Sequence, residues 1–280
     1  MEALVPRSYD EISKNLAMMT PKSKIIGGGT DLVIRLKSVK NPQPDALCYL
    51  GHIEELKKIE VFEDKIVIGA YCTMTQIEKH PVVIEKLPAL MDACSDVGSL
   101  QIRNNGTIGG NIGNASPAGD LIPVLYLYNA DIEVMGPEGT RIVPMNEIIE
   151  RPGKTTLAYN EAVTRIIIKY PEYKSAFVKL GSRKKVTIAR ITVAVGIKEE
   201  NDKITDATIC VGAISIKPVY LKKAEEFLVG KVLNEYNILQ VAEYLSELIM
   251  EITPKEFDRD YKVFASKGVI SDVFELILKR

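Results

Sequence analysis

Three consecutive glycines, Gly27 to Gly29, stand between an apolar run and an amphipathic one in "KIIGGGTDLVIRLKS", residues 24–38. Glycine tolerates positive φ and lets another backbone or a ligand approach closely, but three in a row cost conformational entropy that an ordinary connection avoids. The segment therefore reads as a strand, a tight glycine bend and a helix, with a close neighbour at the bend.

A second glycine-rich stretch is longer: "RNNGTIGGNIGNASPAGDLIPVLYL", residues 103–127, with glycines at 106, 109, 110, 113 and 119. Among them lie Thr107, Asn111, Asn114 and Ser116, and one carboxylate, Asp120. Read as a loop, it exposes backbone N–H groups and short polar side chains, which suit a phosphate ester. Its single acid suits the hydroxyls of a ribose. Each stretch alone is equally compatible with structural turns, whereas the two together favour a dinucleotide-like ligand with a diphosphate held between them. Neither follows the common nucleotide signatures. Gly27 and Gly29 begin G-x-G-x-x-G but Leu32 stands where the third glycine belongs, and no glycine run leads into Lys-Ser or Lys-Thr.

Around these stretches the pattern is mixed. Ser8 and Glu11 fit a capping box ahead of Ile12, Leu16 and Met19, which predicts a first helix closed by Pro21. "KII" reads as a short buried strand, and Leu32, Leu36 and Val39 as the inner side of a second helix. "KIVIGAYCTM", "ADIEVMGPEGTRIVPM", "EAVTRIIIKY" and "KSAFVKLGSR" read as strands, and "HPVVIEKLPALMDACSDVGS" contains a helix. "RITVAVGIKEENDKITDATICVGAIS" reads as a hairpin with a Glu-Asn-Asp-Lys tip. Three C-terminal stripes follow: Leu221, Ala224, Leu228; Ile238, Val241, Ala242, Leu245, Ile249; and Ile270, Val273, Phe274, Ile277. They read as helices packed on the preceding sheet. The expected class is α+β, with boundaries placed at 1–56, 57–173 and 174–280.

Composition narrows the function. Thirty-six basic against 37 acidic residues, a formal charge of −1, give no overall field for nucleic acid or an anionic membrane. No window approaches the roughly 20 apolar residues of a membrane span, and the start lacks a signal-peptide pattern, so a cytoplasmic protein is expected. Cys48, Cys72, Cys94 and Cys210 are far apart, so neither a metal site nor an iron–sulfur cluster is expected on this chain. His52 and His80 read as residues at a helix start and in a turn. With no nucleophile, acid–base or metal constellation, no catalytic side chain is assigned, and a cofactor is expected to carry the reactivity.

"IIGGGTDL" together with "QIRNNGTIGGNIGNASPAGDLIPVL" resembles the FAD-binding subunit or domain of the molybdenum hydroxylases, the family of xanthine, carbon monoxide and nicotinate dehydrogenases. "SAFVKLGSRKKVTIARITVAVGI" resembles the opening of that family's C-terminal flavoprotein domain, so the likeness covers the whole chain. The resemblance implies a two-part, PCMH/VAO-like FAD-binding region followed by a C-terminal α/β domain of the CO dehydrogenase flavoprotein type. It implies that Ile26, Gly27, Gly28, Gly29, Thr30, Asp31, Leu32 and Val33 wrap the FAD diphosphate. Thr107, Ile108, Gly109, Gly110 and Asn111 would form the second loop, with Asn114 and Ser116 nearby and Asp120 fixing the adenosine part. Val97 and Gly98 would lie beside the isoalloxazine ring, flanked by Val163 and Lys179 from the C-terminal side. It further implies FAD on this chain, molybdopterin and [2Fe–2S] clusters on a large and a small partner subunit, and an acceptor such as NAD. The rival readings are a self-sufficient flavoprotein that oxidises its own small substrate and a maturation protein without redox function.

Overall fold

The computed structural model describes residues 1–38, 42–184, 186–253 and 257–280. The chain divides into two compact units, one of Met1–Ile77, Ser99–Ser116 and Asn129–Tyr170, the other of Glu78–Gly98, Pro117–Tyr128 and Pro171–Arg280.

In the first unit, β1 (Glu2–Leu4), β2 (Lys24–Ile26) and β3 (Ala46–Tyr49) form a parallel sheet in the order β1-β3-β2. Helix α1 (Glu11–Ala17) covers it with Ile12 and Leu16, and with Met19 just beyond, all buried as the spacing predicts. The capping box does not form. The helix starts at Glu11, and the Glu11 carboxylate accepts from the Arg7 N–H at 2.7 Å, while Asp10 stands at the cap without a side-chain bond. A turn in which the Glu11 N–H donates to the Ser8 carbonyl holds Ser8 outside the helix. β2 is half-buried rather than buried. Helix α2 (Leu32–Leu36) forms, yet none of its residues is buried, and Val33 and Ile34 are exposed; Val39 lies outside the described residues.

The same unit holds an antiparallel sheet in the order β4-β5-β10-β6-β7. Its strands are β4 (Ile59–Val61), β5 (Lys65–Gly69), β6 (Asp131–Gly136), β7 (Gly139–Pro144) and β10 (Ala162–Lys169). Along β10 the buried residues alternate, as a half-covered strand requires. Short pieces complete it: α3 (Met74–Glu78), α9 (Met145–Ile148), and the pair β8 (Ile149–Arg151) and β9 (Lys154–Thr155).

In the second unit, β11 (Lys174–Gly181), β12 (Ala189–Glu200), β13 (Lys203–Gly212) and β14 (Val219–Tyr220) form an antiparallel sheet in that order. The β12–β13 hairpin turns at Asn201 and Asp202, both at positive φ, between the paired Glu200 and Lys203, as a two-residue primed turn demands. Helices α10 (Lys222–Leu228), α11 (Glu235–Ile252) and α12 (Arg259–Leu278) carry the three predicted stripes, which join the sheet in one apolar core. The segment expected to hold one helix holds two, α4 (Pro81–Lys86) and α5 (Pro88–Asp96). Pro88 supplies no N–H to continue the first helix but suits the start of the second.

The second glycine-rich stretch is largely helical instead of a loop. Ser99 caps α6 (Leu100–Arg103) by accepting from the Ile102 N–H at 3.3 Å. Thr107 caps α7 (Ile108–Asn114) by accepting from the Gly110 N–H at 3.1 Å, and α8 (Leu121–Leu127) follows. Glycine weakens a helix by about 1 kcal/mol relative to alanine. The caps and the fully buried Ile108 and Ile112 offset that loss.

Candidate functional site

In the first unit the two glycine segments lie against each other. A Cβ added at Gly27 would lie 2.7 Å from the Thr107 Oγ1 and 3.4 Å from the Gly110 Cα. One added at Gly28 would lie 1.6 Å from the Asn105 carbonyl oxygen. The close neighbour implied by the triple glycine is thus the backbone of the second segment. Gly29 adds the left-handed turn, with φ at +72°.

The N–H groups of the two segments have different fates. Those of Ile108 and Gly109 donate to the carbonyls of Cys72 and Ala70 at 3.1 and 2.9 Å, and those of Gly110 and Asn111 donate to the hydroxyl and carbonyl of Thr107. The N–H groups of residues 108–111 are therefore taken up inside the protein, whereas in the first segment those of Gly28, Gly29 and Thr30 donate to no protein acceptor among the described residues. Asp31 pairs with Arg35 at 2.7 Å, and Arg35 also donates to the Asn114 Oδ1 at 3.0 Å, so this cation joins two expected site residues. The Asn111 Oδ1 is buried without a partner among the described residues. Ile26, Leu32 and Ser116 are half-buried, and Val33 is exposed. Val163 is half-buried on β10 at a bulge, where the register to β6 shifts between Val163 and Arg165.

The second unit holds the remaining expected residues. Val97 ends α5 and Gly98 follows at φ +47°. Asp120 sits at the start of α8, 6% exposed. Its Oδ2 accepts from the Lys179 Nζ at 2.6 Å, Lys179 donates also to the Asp96 carbonyl at 2.9 Å, and the Asp120 Oδ1 has no partner among the described residues. Two residues with separate expected roles are thus one buried ion pair, with Lys179 on β11. Burial pushes the Asp120 carboxyl up to about 6, against the attraction of Lys179, with the Asp96 charge adding to the rise.

In the first unit the unused backbone N–H donors match the diphosphate of FAD in kind and the buried Asn111 Oδ1 matches a hydroxyl donor, and in the second unit the Asp120 Oδ1 is likewise an acceptor suited to a hydroxyl. The turn Ala70–Tyr71–Cys72 was not legible as part of this arrangement. It supplies the two carbonyls that hold α7, and its tyrosine hydroxyl bonds to Ile26 and Leu50. Its sequence signal is a tyrosine two residues beyond the glycine that ends β5.

Comparison with known proteins agrees along the whole chain. Residues 1–171 match the family described as the FAD binding domain in molybdopterin dehydrogenase, and residues 176–274 match the CO dehydrogenase flavoprotein C-terminal domain. The nicotinate dehydrogenase FAD-subunit of Eubacterium barkeri is 34% identical over 265 residues, covering 91% of this chain and 88% of that protein. The xanthine dehydrogenase FAD-binding subunit of Escherichia coli O157:H7 is 30% identical over 256 residues, covering 89% and 86%. The solved quinoline 2-oxidoreductase of Pseudomonas putida 86 contains a chain that superposes with a TM-score of 0.91 at 24% identity, covering 100% of this chain and 97% of that one. Fold and site define a mixed α and β oxidoreductase subunit that carries an FAD-binding domain. The chain belongs to the FAD-binding medium subunits of the molybdenum hydroxylase family.

Proposed function

We propose that this chain is the electron-transfer subunit of a cytoplasmic, heteromeric molybdenum hydroxylase, working with a large molybdopterin-binding subunit and a small [2Fe–2S] subunit. FAD supplies the redox chemistry here, taking electrons that originate at the partner's molybdenum and arrive through its iron–sulfur clusters, and passing them to NAD or another acceptor. The observation that carries this reading is the match to both family domains together with an unused set of N–H donors on Gly28, Gly29 and Thr30.

In this reading Ile26 to Val33 hold the diphosphate through the glycine N–H groups and Thr30. Thr107 to Asn111 brace that loop from behind, and the Asn111 side chain, with Asn114 and Ser116, takes hydroxyls. Asp120 accepts from the adenosine ribose through its bare oxygen while Lys179 holds the other. Val97, Gly98 and Val163 flank the ring. None of these side chains acts as acid or base on the hydroxylated substrate, whose identity is set in the partner's molybdenum pocket.

Flavin and metal analysis of the purified chain tests the assignment. The expected result is about one FAD per chain without stoichiometric iron. Failure to bind added FAD, or iron in a fixed ratio, would overturn it.

A further inference from the structure

The Ala70–Tyr71–Cys72 turn touches both glycine segments of the first unit, although the proposed cofactor contacts include none of its residues. Its backbone holds the second segment: the Cys72 carbonyl accepts from the Ile108 N–H at 3.1 Å and the Ala70 carbonyl from the Gly109 N–H at 2.9 Å. The fit is close enough that a Cβ at Gly109 would lie 2.7 Å from the Ala70 side chain. Its one long side chain holds the first segment. The Tyr71 hydroxyl accepts from the Leu50 N–H at 3.1 Å and donates to the Ile26 carbonyl.

Those two groups lie just past the last paired residues of the parallel ladder, Ile26 and Tyr49. In a parallel ladder the Leu50 N–H and the Ile26 carbonyl are the groups that would close the next rung. The hydroxyl is interposed there, as a bridging water would be, at the residue before Gly27. The tyrosine itself is well anchored. Its N–H donates to the Leu56 carbonyl at 2.8 Å, its ring packs on the core beneath the three-stranded sheet, and the Tyr49 ring meets it edge-on at 6.0 Å.

We propose that Tyr71 is a positioning residue for FAD binding. Its hydroxyl fixes the exit of β2, so that the N–H groups of Gly28, Gly29 and Thr30 already point correctly before the diphosphate arrives. The same turn sets the second segment, so both glycine segments are registered against one rigid element. Three glycines in succession leave the chain free to wander, and pre-organisation of such a loop strengthens binding by removing an ordering cost. The proposal rests on the reading of residues 26–33 as the diphosphate loop.

The test uses the full chain stripped of flavin. Tyr71→Phe keeps the ring and removes the hydroxyl. Its FAD dissociation constant is expected to rise about tenfold, the size of one lost buried hydrogen bond, and the backbone amides of residues 24–31 are expected to exchange faster with deuterium in the flavin-free chain. Tyr9→Phe is the control, because it removes another hydroxyl bond of the same unit, to Glu133 at 2.9 Å, away from the loop; its FAD affinity is expected to stay at the wild-type value. A folded Tyr71→Phe chain with wild-type affinity and unchanged exchange would overturn the proposal. Should Tyr71→Phe not fold, 3,5-difluorotyrosine at position 71 keeps the shape and alters the hydroxyl's bonding. An affinity change of about threefold supports the role, and none overturns it. A wild-type chain that binds no FAD would overturn the loop assignment instead, a result distinct from either.

Discussion

A buried carboxylate with one oxygen on Lys179 and the other bare, as at Asp120, is held short of full ionisation until something donates to the bare oxygen. Its carboxyl titrates near 6 in the folded chain against an ordinary 3.8, so the folded state binds the proton more tightly than the unfolded one. This residue therefore adds stability as pH falls from about 6 towards the ordinary carboxylate range, and its ionised form is disfavoured in the folded chain above that range. FAD hydroxyls donating to it would favour the carboxylate. FAD affinity is then expected to weaken as pH falls through 6, and Asp120→Asn to flatten that profile, with flavin fluorescence titrations at stepped pH as the measurement. Asp120→Ala should weaken binding by about 1.5–3 kcal/mol at neutral pH. A wild-type profile flat across pH 6 would remove Asp120 from the site.

At the scale of elements, the two glycine segments make opposite predictions for similar substitutions. Gly28→Ala drives a methyl into the Asn105 carbonyl, and forcing the segments apart should cost about 1–3 kcal/mol together with most of the FAD affinity. Gly113 lies in α7 at an ordinary helical φ, with nothing within 4 Å of its missing Cβ. Gly113→Ala should instead stabilise the protein by about 0.5–1 kcal/mol, as denaturant midpoints would show. This contrast also marks what the sequence made legible. The C-terminal stripes and the Asn201–Asp202 turn follow from periodicity and turn chemistry over a few residues, so they could be read directly. Residues 103–127 could not, because five glycines argue against a helix while the opposing terms, the Ser99 and Thr107 caps and the burial of Ile108 and Ile112, act partly through the fold. The residues proposed for the candidate site were named through family resemblance. Its internal wiring was not legible: Asp120 and Lys179 are 59 positions apart, and Tyr71 meets Ile26 across 45, distances over which local pattern carries no information.

For the whole molecule, the residues proposed for the cofactor are backbone donors, acceptor oxygens and one ion pair, a set suited to binding a flavin and without a residue assigned to attack or deprotonate a carbon substrate. On the proposed reading such a subunit completes a reaction only when electrons reach it from elsewhere, with the molybdenum chemistry and the cluster relay on the proposed partner chains. Their docking should bury a specific interface of roughly 1,200 Å² or more in total. The isolated FAD-loaded chain is expected to move electrons between NADH, or a similar donor, and an artificial dye, and to hydroxylate nothing. Adding the large and small subunits should make flavin reduction depend on the substrate, followed as bleaching of the flavin band under anaerobic conditions. Turnover of a purine, nicotinate, aldehyde or carbon monoxide by this chain alone would transfer the chemistry to the flavin face itself, and the self-sufficient oxidase would replace the electron relay.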